Sequence, residues 1–382
     1  MNPATSIIRS TDRGQIGFHI CAGRTHGCLR HFHHYSFLCM KTVWIDIDNS
    51  PHVPLFAPII SDLQNRGIRV LVTTRDFAQT IPLLEQYGLK FIRVDGHGGA
   101  NKIRKVASTI FRALKLAWIL RREHIDLMVN HGARSGIIAA KLLRIPVVSG
   151  FDYEHTELRI LFGLSDLVLA PEALKDKFKE SKTIRFYPGI KEQVYLSDSN
   201  PMECRKSPDL GFPFESKIPL VVLRPPSFVA NYHSPDSDVI FLEVLRTLRD
   251  SRCTIVFLPR SAEDTKKVED FIKGPSTKCH FIVLDKPVNG RALICKADLV
   301  ISGGGTMLRE AAILNTPAYS IFCSEPPLID LELEQSGKLQ FIRKTSHLSK
   351  LKIEKKKNFD HGSPVSREAR EFIVQAILGF VS

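Results

Sequence analysis

The sequence predicts an α/β protein built from two doubly wound parallel sheets. From Thr42 onward, short apolar runs alternate with longer stretches of helical periodicity, which is typical of a parallel sheet covered by helices on both faces. The alternation fails between about residues 187 and 217, where Pro, Gly, Asp and Ser accumulate, and it restarts at Leu220. Two such domains joined by a linker leave a cleft at the carboxyl ends of both sheets, where ligands bind in folds of this kind.

Each domain is predicted as a regular series of strands and helices. In the first, strands are predicted at 43–47, 69–73, 91–94, 127–130, 146–149 and 167–169, with helices at 55–66, 76–87, 103–123 and 135–143 and a Gly-rich loop at 97–100. In the second, strands are predicted at 220–224, 254–258, 281–284, 299–302 and 318–322, with helices at 239–249, 262–272 and 290–295 and one after the third glycine of a Gly-Gly-Gly turn. The predicted domains are therefore 40–190 and 217–345, separated by a linker at 191–216. A basic segment and a C-terminal helix at 366–378 complete the chain, over 346–382.

Residues 1–39 differ from the rest of the chain. They contain five histidines, three cysteines and four arginines, but neither a periodic apolar pattern nor the apolar core of a signal peptide. Met40 then opens a natural first strand. We expect this leader to be disordered or non-native; the alternative is a His/Cys-rich metal-binding leader.

Composition narrows the class of protein. The 382 residues are 43% hydrophobic and 24% charged, with a net charge of +13, which implies an anionic partner. No apolar run reaches the roughly 18–20 residues that span a bilayer. Nucleic acid is not expected, because zinc-finger spacings and RNA-binding signatures are absent; nucleotide diphosphates and acidic lipid surfaces are favoured. The eight cysteines form no CxxC pair, and Cys253, Cys295 and Cys323 are predicted to be reduced core residues, which indicates a cytoplasmic protein.

A glycine turn follows the predicted strand at 299–302. Gly303, Gly304 and Gly305 precede a helix that starts near Thr306, so bare N–H groups and the positive end of the helix dipole point at the same place. A phosphate fits such a turn because a Cβ would hold it away from the backbone. Glu310 lies a little over one turn into the helix, where its carboxylate can accept hydrogen bonds from a ribose. The alternative is an ordinary turn between a strand and a helix.

Polar residues also follow the first strand. Asp48, Asn49 and His52 lie in the predicted loop between strand 43–47 and the next helix. Histidine is the side chain best suited to take a proton near neutral pH, and Asp48 is the second candidate for a base. The alternative is that Asp48 and Asn49 are turn or capping residues and His52 is an exposed loop residue.

Two further polar clusters follow later strands of the first domain. His131 and Arg134 come after the strand at 127–130, and Asp152, Glu154 and His155 come after the strand at 146–149. We predict that these side chains line the cleft, with a plain surface loop as the alternative for the second cluster. The histidines and carboxylates are also conceivable metal ligands, but their spacing matches no known zinc pattern, so no metal is expected.

The second domain offers two more candidates. Arg224 ends its first strand, where a planar guanidinium suits a diphosphate; a surface salt bridge is the alternative. Asp330 follows the last predicted strand, and carboxylates in that place commonly receive sugar hydroxyls. The Walker and G-x-G-x-x-G fingerprints are absent, which argues against a kinase or a dehydrogenase.

Several segments resemble known families. The segments that begin at Asn49 (Asn-Ser-Pro-His-Val-Pro-Leu-Phe-Ala-Pro), Arg66, Ala139 and Ser302 resemble motifs of the N-acetylglucosaminyltransferase that makes lipid II. More closely, the segments from Trp44, Thr74, Asn130 and Phe151 resemble a prokaryotic family catalogued as domain of unknown function 354 and grouped with GT-B glycosyltransferases. The resemblance covers about Met40 to Lys344. It implies the GT-B arrangement, in which two Rossmann-like domains face a cleft.

The resemblance also suggests roles for some residues. Gly303, Gly304, Gly305 and Thr306 match the phosphate-facing turn, Glu310 matches the ribose-binding glutamate, and His52 matches a loop histidine. The glycine-rich first loop of the transferase is replaced here by Asp48-Asn-Ser-Pro.

The resulting expectation is a GT-B-type glycosyltransferase that uses a nucleotide-diphosphate sugar, UDP-linked, in the synthesis of a cell-surface glycan or glycolipid. The alternatives are an enzyme like UDP-GlcNAc 2-epimerase, with which the chain shares a distant similarity, and a nucleotide-sugar-binding protein without turnover. Expected partners are the nucleotide sugar, a lipid-linked or glycan acceptor, and an anionic membrane contacted from the cytoplasm through the basic and apolar helix at 103–122. For that helix, the alternative is a buried helix with a basic outer face.

Overall fold

The computed structural model describes residues 40–94, 102–199, 210–226, 234–272, 278–284, 288–356 and 364–382. The leader at 1–39 and the Gly-rich loop at 97–100 lie outside the described residues, as does the middle of the predicted linker. Residues 40–382 form one compact unit of the chain.

The described residues of the first domain form a seven-stranded sheet in which the pairings between strands are parallel. Its strands are β1 (Thr42–Ile47), β2 (Arg69–Thr74), β3 (Ile92–Arg93), β4 (Leu127–His131), β5 (Val147–Gly150), β6 (Leu167–Pro171) and β7 (Ile184–Tyr187). Their order is β3-β2-β1-β4-β5-β6-β7, so the direction of winding reverses between β1 and β4. Both of these strands are buried along their whole length, as in a sheet covered on both faces.

Helices connect these strands, four of them near the predicted positions; the first begins at His52, so the prediction that His52 lies in the preceding loop is wrong. They are α1 (His52–Gln64), α2 (Thr80–Gln86), α3 (Lys102–Leu120), α4 (Arg134–Leu142) and α5 (Arg159–Leu164). The short helix α5 and the strand β7 were not predicted. Residues 191–216, the predicted linker, begin with a further helix, α6 (Lys191–Leu196), in which five of the six residues are buried. The start of that segment is therefore part of the folded core, while the domain boundaries stay a prediction.

The second domain repeats the architecture with six strands. These are β8 (Leu220–Arg224), β9 (Thr254–Phe257), β10 (His280–Val283), β11 (Leu299–Ser302), β12 (Ala318–Ser320) and β13 (Gln340–Phe341), in the order β10-β9-β8-β11-β12-β13. The helices are α7 (Pro235–Arg249), α8 (Ala262–Ile272), α9 (Gly290–Lys296), α10 (Thr306–Ile313) and α11 (Leu328–Gln335). All described pairings are again parallel, and the winding reverses between β8 and β11.

The last helix, α12 (Glu368–Val381), returns to the first domain and packs against α1 and α6. Arg370 on α12 binds both carboxylate oxygens of Asp62 on α1, through Nε and Nη2 at 2.7 Å each, and it also contacts Asp198 just after α6. Such a bidentate pair fixes both distance and orientation. The C-terminal helix is thus a structural part of the first domain.

Apolar side chains of both domains meet in one cluster, which includes Val53 on α1, Val194 on α6 and Leu308 on α10. None of the described helices has the length and apolar character that a bilayer span requires. Cys253 and Cys323 are free thiols, as predicted. Cys295 is disulfide-bonded, so the prediction of a reduced residue is wrong there.

Candidate functional site

The candidate site lies at the carboxyl ends of the strands between which each sheet reverses its winding. In the first domain these are β1 and β4, and in the second they are β8 and β11. Because helices leave opposite faces of the sheet at such a reversal, the strand ends there stay open to a ligand. Most of the predicted site residues follow one of these four strands.

A buried ion pair fixes the end of β1. Asp46 accepts hydrogen bonds from Nη1 and Nη2 of Arg112 at 2.8 and 2.7 Å, and from Oγ1 of Thr73 at 2.7 Å. Arg112, on α3, also donates through Nε to the carbonyl of Val94 at 3.0 Å. Asp46 is fully buried, and these partners compensate its charge. The pair therefore holds α3 against the strand that presents Asp48 two residues later.

Asp48 and His52 form a close pair at the start of α1. Nδ1 of His52 lies 3.3 Å from Oδ1 of Asp48, and Nη2 of Arg75 lies 3.8 Å from Oδ2. Burial acts to raise the pKa of Asp48, but the contact with His52 and the charges of Arg75 and Arg112 outweigh it and hold that pKa below its ordinary value. An ionised Asp48 can stabilise the positive charge that His52 acquires when it takes up a proton.

His131 completes a group of two imidazoles. Its ring centroid lies 4.7 Å from that of His52, and its Nε2 lies 3.7 Å from Oδ1 of Asp152. Burial, and next the charge of His52, lower the pKa of His131 to about 3, against the opposing effect of Asp152. His131 is therefore neutral at physiological pH.

Asp152 joins the two domains. Lys191 on α6 donates to its Oδ2, and Nη1 of Arg309 on α10 lies 3.2 Å from the same oxygen. Burial acts to raise the pKa of Asp152, but Lys191, His131 and Arg309 hold it well below its usual range. Burial acts to lower the pKa of Lys191, yet Asp152 and Glu192 raise it overall. Asp152, Lys191 and Arg309 are thus charged, and their contacts cross the boundary between the sheets.

Glu154 and His155 lie at the same boundary. Oε1 of Glu154 accepts a hydrogen bond from the backbone N–H of Leu328, the first residue of α11, at 2.7 Å. Nε2 of His155 lies 3.7 Å from the same oxygen. A carboxylate at this end of α11 also meets the positive end of the helix dipole. Oε2 of Glu154 is buried and has no hydrogen-bond partner among the described residues.

The glycine turn in the second domain has the predicted shape. A Cβ on Gly303 would lie 2.4 Å from Cα of Pro226, and Gly304 and Gly305 have φ of +95° and +93°, which side chains disfavour. In the described part of the chain, the N–H groups of Gly304, Gly305 and Thr306 have no hydrogen-bond acceptor. Free donors and the start of α10 therefore converge there, as at phosphate-binding turns.

Glu310 lies on α10, one turn beyond the glycines. Its Oε1 accepts a hydrogen bond from the hydroxyl of Tyr195 on α6 at 2.6 Å. Burial raises the pKa of Glu310 to about 7; the hydrogen bond from Tyr195 acts against this rise, and the charge of Glu192 adds to it. A carboxyl that titrates near neutral pH inside a cleft is a common property of functional sites.

Arg224 lies at the end of β8, next to the glycine turn, and the carbonyl of Arg224 accepts a hydrogen bond from the N–H of Gly303 at 3.3 Å. Burial and the nearby charge of Arg260 lower the pKa of Arg224 to about 10, so it stays protonated at neutral pH. No acidic side chain among the described residues forms an ion pair with Arg224, which argues against the surface salt bridge. Nε of Arg260 donates to the carbonyl of Pro225 at 3.0 Å, which brings a second guanidinium to this edge.

Three of the predicted site residues are bonded within the protein or exposed at its surface. Asp330 is buried, and its Oδ1 accepts from Nε of Arg309 at 2.6 Å, so part of its carboxylate is already bonded within the protein. Arg134 is exposed at the start of α4, with Nη2 3.5 Å from the carbonyl of Glu157. Asn49 accepts from the N–H of Ser50 through its side chain at 2.9 Å, which is the turn role of the alternative prediction.

A family model described as "Protein of unknown function (DUF354)" matches residues 41–347. The chain belongs to this family. The resemblance drawn from the four segments at Trp44, Thr74, Asn130 and Phe151 is thereby confirmed. An uncharacterised protein of Methanocaldococcus jannaschii is 26% identical over 308 residues, which cover 78% of this chain and 86% of that protein.

Solved structures share the fold of this DUF354 member. UDP-GlcNAc 2-epimerase of Neisseria meningitidis, solved with UDP-GlcNAc, has a TM-score of 0.65 at 16% identity and covers 89% of this chain and 100% of its own. The epimerase of M. jannaschii has a TM-score of 0.66 at 16% identity, over 88% and 99%. MurG of Acinetobacter baumannii has a TM-score of 0.50 at 15% identity, over 90% and 99%. The predicted fold, two Rossmann-like domains of GT-B type, is confirmed.

Sequence reasoning missed four residues of the site in this DUF354 protein. Lys191 and Tyr195 lie in the predicted linker. Arg309 lies inside a helix whose apolar face alone marks it in the sequence, and Arg260 follows a strand. A polar residue within the apolar period of a helix is a signal that would have marked Arg309, whereas no local pattern marks Arg260, which is exposed in a loop. Among the described residues, no three His, Cys, Asp or Glu side chains are grouped so as to hold a metal ion.

Proposed function

We propose that this DUF354 protein is a glycosyltransferase that moves a sugar from a nucleoside diphosphate, UDP-linked, to a hydroxyl group of an acceptor. The single observation that supports this most is the glycine turn of β11 at the point where the second sheet reverses, with the Asp48–His52 pair at the corresponding point of the first. One arrangement suits a diphosphate, and the other suits an alcohol that must lose a proton.

The sugar donor binds the second domain. The N–H groups of Gly304, Gly305 and Thr306 and the guanidinium of Arg224 face the diphosphate, and Glu310 faces the ribose. As the bond between the sugar and the diphosphate breaks, negative charge grows on the departing oxygen. These donors are already in place and stabilise that charge without reorganisation, so no metal ion is required.

The acceptor binds the first domain. His52 removes the proton of the acceptor hydroxyl, whose oxygen forms the new bond to the anomeric carbon while the bond to the diphosphate breaks. Nε2 of His52 has no partner among the described residues and is not one of the buried unpartnered atoms, so a ligand can reach it. Asp48, ionised beside Nδ1, stabilises the imidazolium that results.

The test is a binding panel followed by an assay of turnover. UDP-, GDP-, CDP- and TDP-sugars are titrated calorimetrically into wild type, Glu310→Ala and, as a matched control on an exposed site, Glu334→Ala. We expect saturable binding of the UDP class, lost in Glu310→Ala only. His52→Gln should keep that binding and lose transfer to acceptors from cell-envelope extracts. The proposal is overturned if wild type binds none of these four classes of nucleotide sugar.

A second candidate is an epimerase acting on UDP-GlcNAc. It is favoured by two buried carboxylates, that of Asp152, 3.7 Å from His131, and that of Glu154, which suit acid–base work on a sugar ring. Solved UDP-GlcNAc 2-epimerases share the fold. Incubation with UDP-GlcNAc alone separates the two reactions, because epimerisation needs no acceptor and transfer does. Binding that survives both His52→Ala and Asp48→Ala, with no product in either assay, would instead indicate a binding protein without turnover.

The proposal includes a membrane-bound acceptor, reached from the cytoplasmic side. α3 exposes a stripe of large apolar side chains, with Trp118, Phe111 and Leu114 exposed to 66%, 59% and 54%. The alternative, a buried helix with a basic outer face, does not account for these exposed apolar side chains. Lys115 and Arg121 stack on Phe111 and Trp118, and residues 102–122 contain no acidic side chain. Basic residues around an apolar stripe are typical of helices that lie on anionic bilayers.

Arg112 is an exception among the basic residues predicted for the outer face of α3, because it is buried against Asp46. That ion pair ties the exposed stripe to the strand that presents Asp48. A groove of about 540 Å³ runs beside the stripe, between Arg93, Phe111 and Trp118. A lipid-linked acceptor held there would lie one helix away from the proposed base.

A further inference from the structure

Tyr195 contacts the proposed site for the sugar donor, although it lies on a helix that follows the first sheet. Its hydroxyl donates to Oε1 of Glu310 at 2.6 Å, across 115 positions of the chain. Tyr195 belongs to α6, which follows the first sheet, whereas Glu310 belongs to α10 of the second domain. The tyrosine is 5% exposed, so its hydroxyl is largely shielded from water as an alternative partner.

The contact occupies one side of the carboxylate only. In the described part of the chain no hydrogen bond reaches Oε2 of Glu310, and Oε2 is not among the buried polar atoms that lack a partner. Oε2 is therefore accessible. A carboxylate accepts through both oxygens, and a firm donor on one of them fixes the rotation of the whole group and hence the direction of the other.

We propose that Tyr195 is a positioning residue for the sugar donor: by holding Oε1 of Glu310, it directs Oε2 toward the hydroxyls of the nucleotide's ribose. This inference rests on the proposed function, since it takes Glu310 as the contact with the ribose. Tyr195 itself touches no substrate. Its role is to restrict the rotation of the Glu310 carboxylate before the ligand binds. Less conformational entropy is then lost on binding.

The helix that carries Tyr195 is suited to such a role. Lys191 lies one turn earlier on the same face, where residues four apart are neighbours, and it binds Asp152 of the first domain. The start of the helix is closed by a hydrogen bond from the N–H of Ile190 to Oε1 of Gln193 at 2.8 Å. α6 is thus held at both ends of this face, and the hydroxyl of Tyr195 is fixed relative to both domains.

The titratable and charged groups that face Glu310 set its response to pH. They are Tyr195, Lys191 and Glu192 on α6, Arg291 on α9, Arg224 at the end of β8 and Tyr87 after α2. Burial raises the pKa of Glu310 to about 7, and the hydrogen bond from Tyr195 opposes that rise. Removal of the hydroxyl therefore moves the midpoint of ribose binding to higher pH.

The experiment compares two ligands and three proteins. UDP and 2′,3′-dideoxyuridine diphosphate, which lacks both ribose hydroxyls, are titrated calorimetrically into full-length wild type, Tyr195→Phe and Tyr187→Phe between pH 6 and 9. Tyr187 is a matched control, because it is 3% exposed and loses the same hydroxyl without any hydrogen bond to Glu310 among the described contacts. Melting temperatures of the unliganded proteins report any damage to the fold.

We expect Tyr195→Phe to weaken UDP about tenfold, as for the loss of a hydrogen bond to a charged group, and to leave the dideoxy ligand unchanged. Its UDP binding should also require higher pH than that of wild type. Tyr187→Phe should match wild type with both ligands. Equal weakening of both ligands by Tyr195→Phe, or no weakening at all, overturns the positioning role alone. If wild type binds neither UDP nor any of the UDP-, GDP-, CDP- and TDP-sugars, the proposed function fails and the positioning role fails with it.

Discussion

Arg309 of the second domain and Asp152 of the first form a buried ion pair, with 3.2 Å between Nη1 and Oδ2. The same guanidinium binds Asp330 through Nε at 2.6 Å. Arg309 lies on α10, four residues after the last glycine of the turn, and Asp152 follows β5. One side chain therefore connects the turn proposed to hold the diphosphate with the cluster around His131 and Lys191.

Replacement of Arg309 by methionine should destabilise the protein by about 3–5 kcal/mol, because Asp330 loses its ion-pair partner and stays buried. Urea unfolding measures the effect. Arg246→Met is the control, since Arg246 contacts Glu243 on an exposed face and such pairs contribute about 0–1 kcal/mol. Equal free energies of unfolding for the two variants would show that the buried pair contributes no more than a surface pair.

Local signals account for what could be predicted from the sequence. Three elements have the predicted bounds: the strands β8 and β11 and the helix α8. The strands are marked by a β-branched run that ends at Arg or before Gly, and the helix by its amphipathic period. Both signals depend only on residues that are close in the sequence. The glycine turn was predicted for the same reason, since three consecutive glycines after a strand have few structural explanations.

The network between the domains could not be predicted in this way. Asp152, Lys191 and Arg309 are separated by 39 and 118 positions, and nothing in the sequence pairs them. α6 has only six residues, fewer than two turns, so its period does not stand out from a linker. Tyr195 and its contact with Glu310 emerge only when the C-terminal half of the chain folds back onto the first domain.

Glu310→Gln should raise stability at pH 8 but not at pH 4.5. The pKa of Glu310 is about 7 in the folded protein against an ordinary value of 4.5, so the folded state keeps a proton that the unfolded chain releases. Its contribution to stability is present below pH 4.5 and is lost as pH rises to about 7. We expect a gain on the order of 1–3 kcal/mol at pH 8, measured by urea unfolding. Glu334→Gln, at an exposed position, is the control, and a gain independent of pH contradicts the prediction.

His131 should resist protonation. Its pKa of about 3 in the folded protein lies below the ordinary value of 6.5, so only the unfolded chain binds the proton between these values. The corresponding stability is present above pH 6.5 and is lost as pH falls toward 3. Between pH 7 and 4, the free energy of unfolding should therefore fall less in His131→Gln than in wild type. In the exposed control His124→Gln it should fall as much as in wild type. An NMR titration that shows His131 gaining a proton near pH 6.5 would falsify this assignment.

Gly303→Ala should disrupt the turn, since its Cβ would lie 2.4 Å from Cα of Pro226 and backbone must move to accommodate it. We expect a loss of about 1–3 kcal/mol in stability, in the range of overpacking, and a loss of nucleotide binding. Gly163→Ala is the matched control, because no atom lies within 4 Å of its Cβ and alanine favours its helix α5 by roughly 0.5–1 kcal/mol. Calorimetric titration with UDP distinguishes a changed site from a destabilised fold, and unchanged binding by Gly303→Ala would show that the turn takes no phosphate.

Trp118→Ser should weaken binding to vesicles that contain anionic phosphatidylglycerol and leave UDP binding intact. Burial of this exposed indole in the interface contributes on the order of 2–3 kcal/mol, so its loss weakens binding more than tenfold. Val239→Ser on α7 is the control, because Val239 is an exposed apolar residue of the second domain outside the stripe. Sedimentation with vesicles measures the binding, and 0.5 M salt should weaken it in wild type, since basic side chains contribute roughly 1 kcal/mol each near an anionic surface. The membrane is contradicted if wild type does not bind vesicles but forms a dimer that Trp118→Ser dissociates. The apolar stripe would then bind a second copy of the chain.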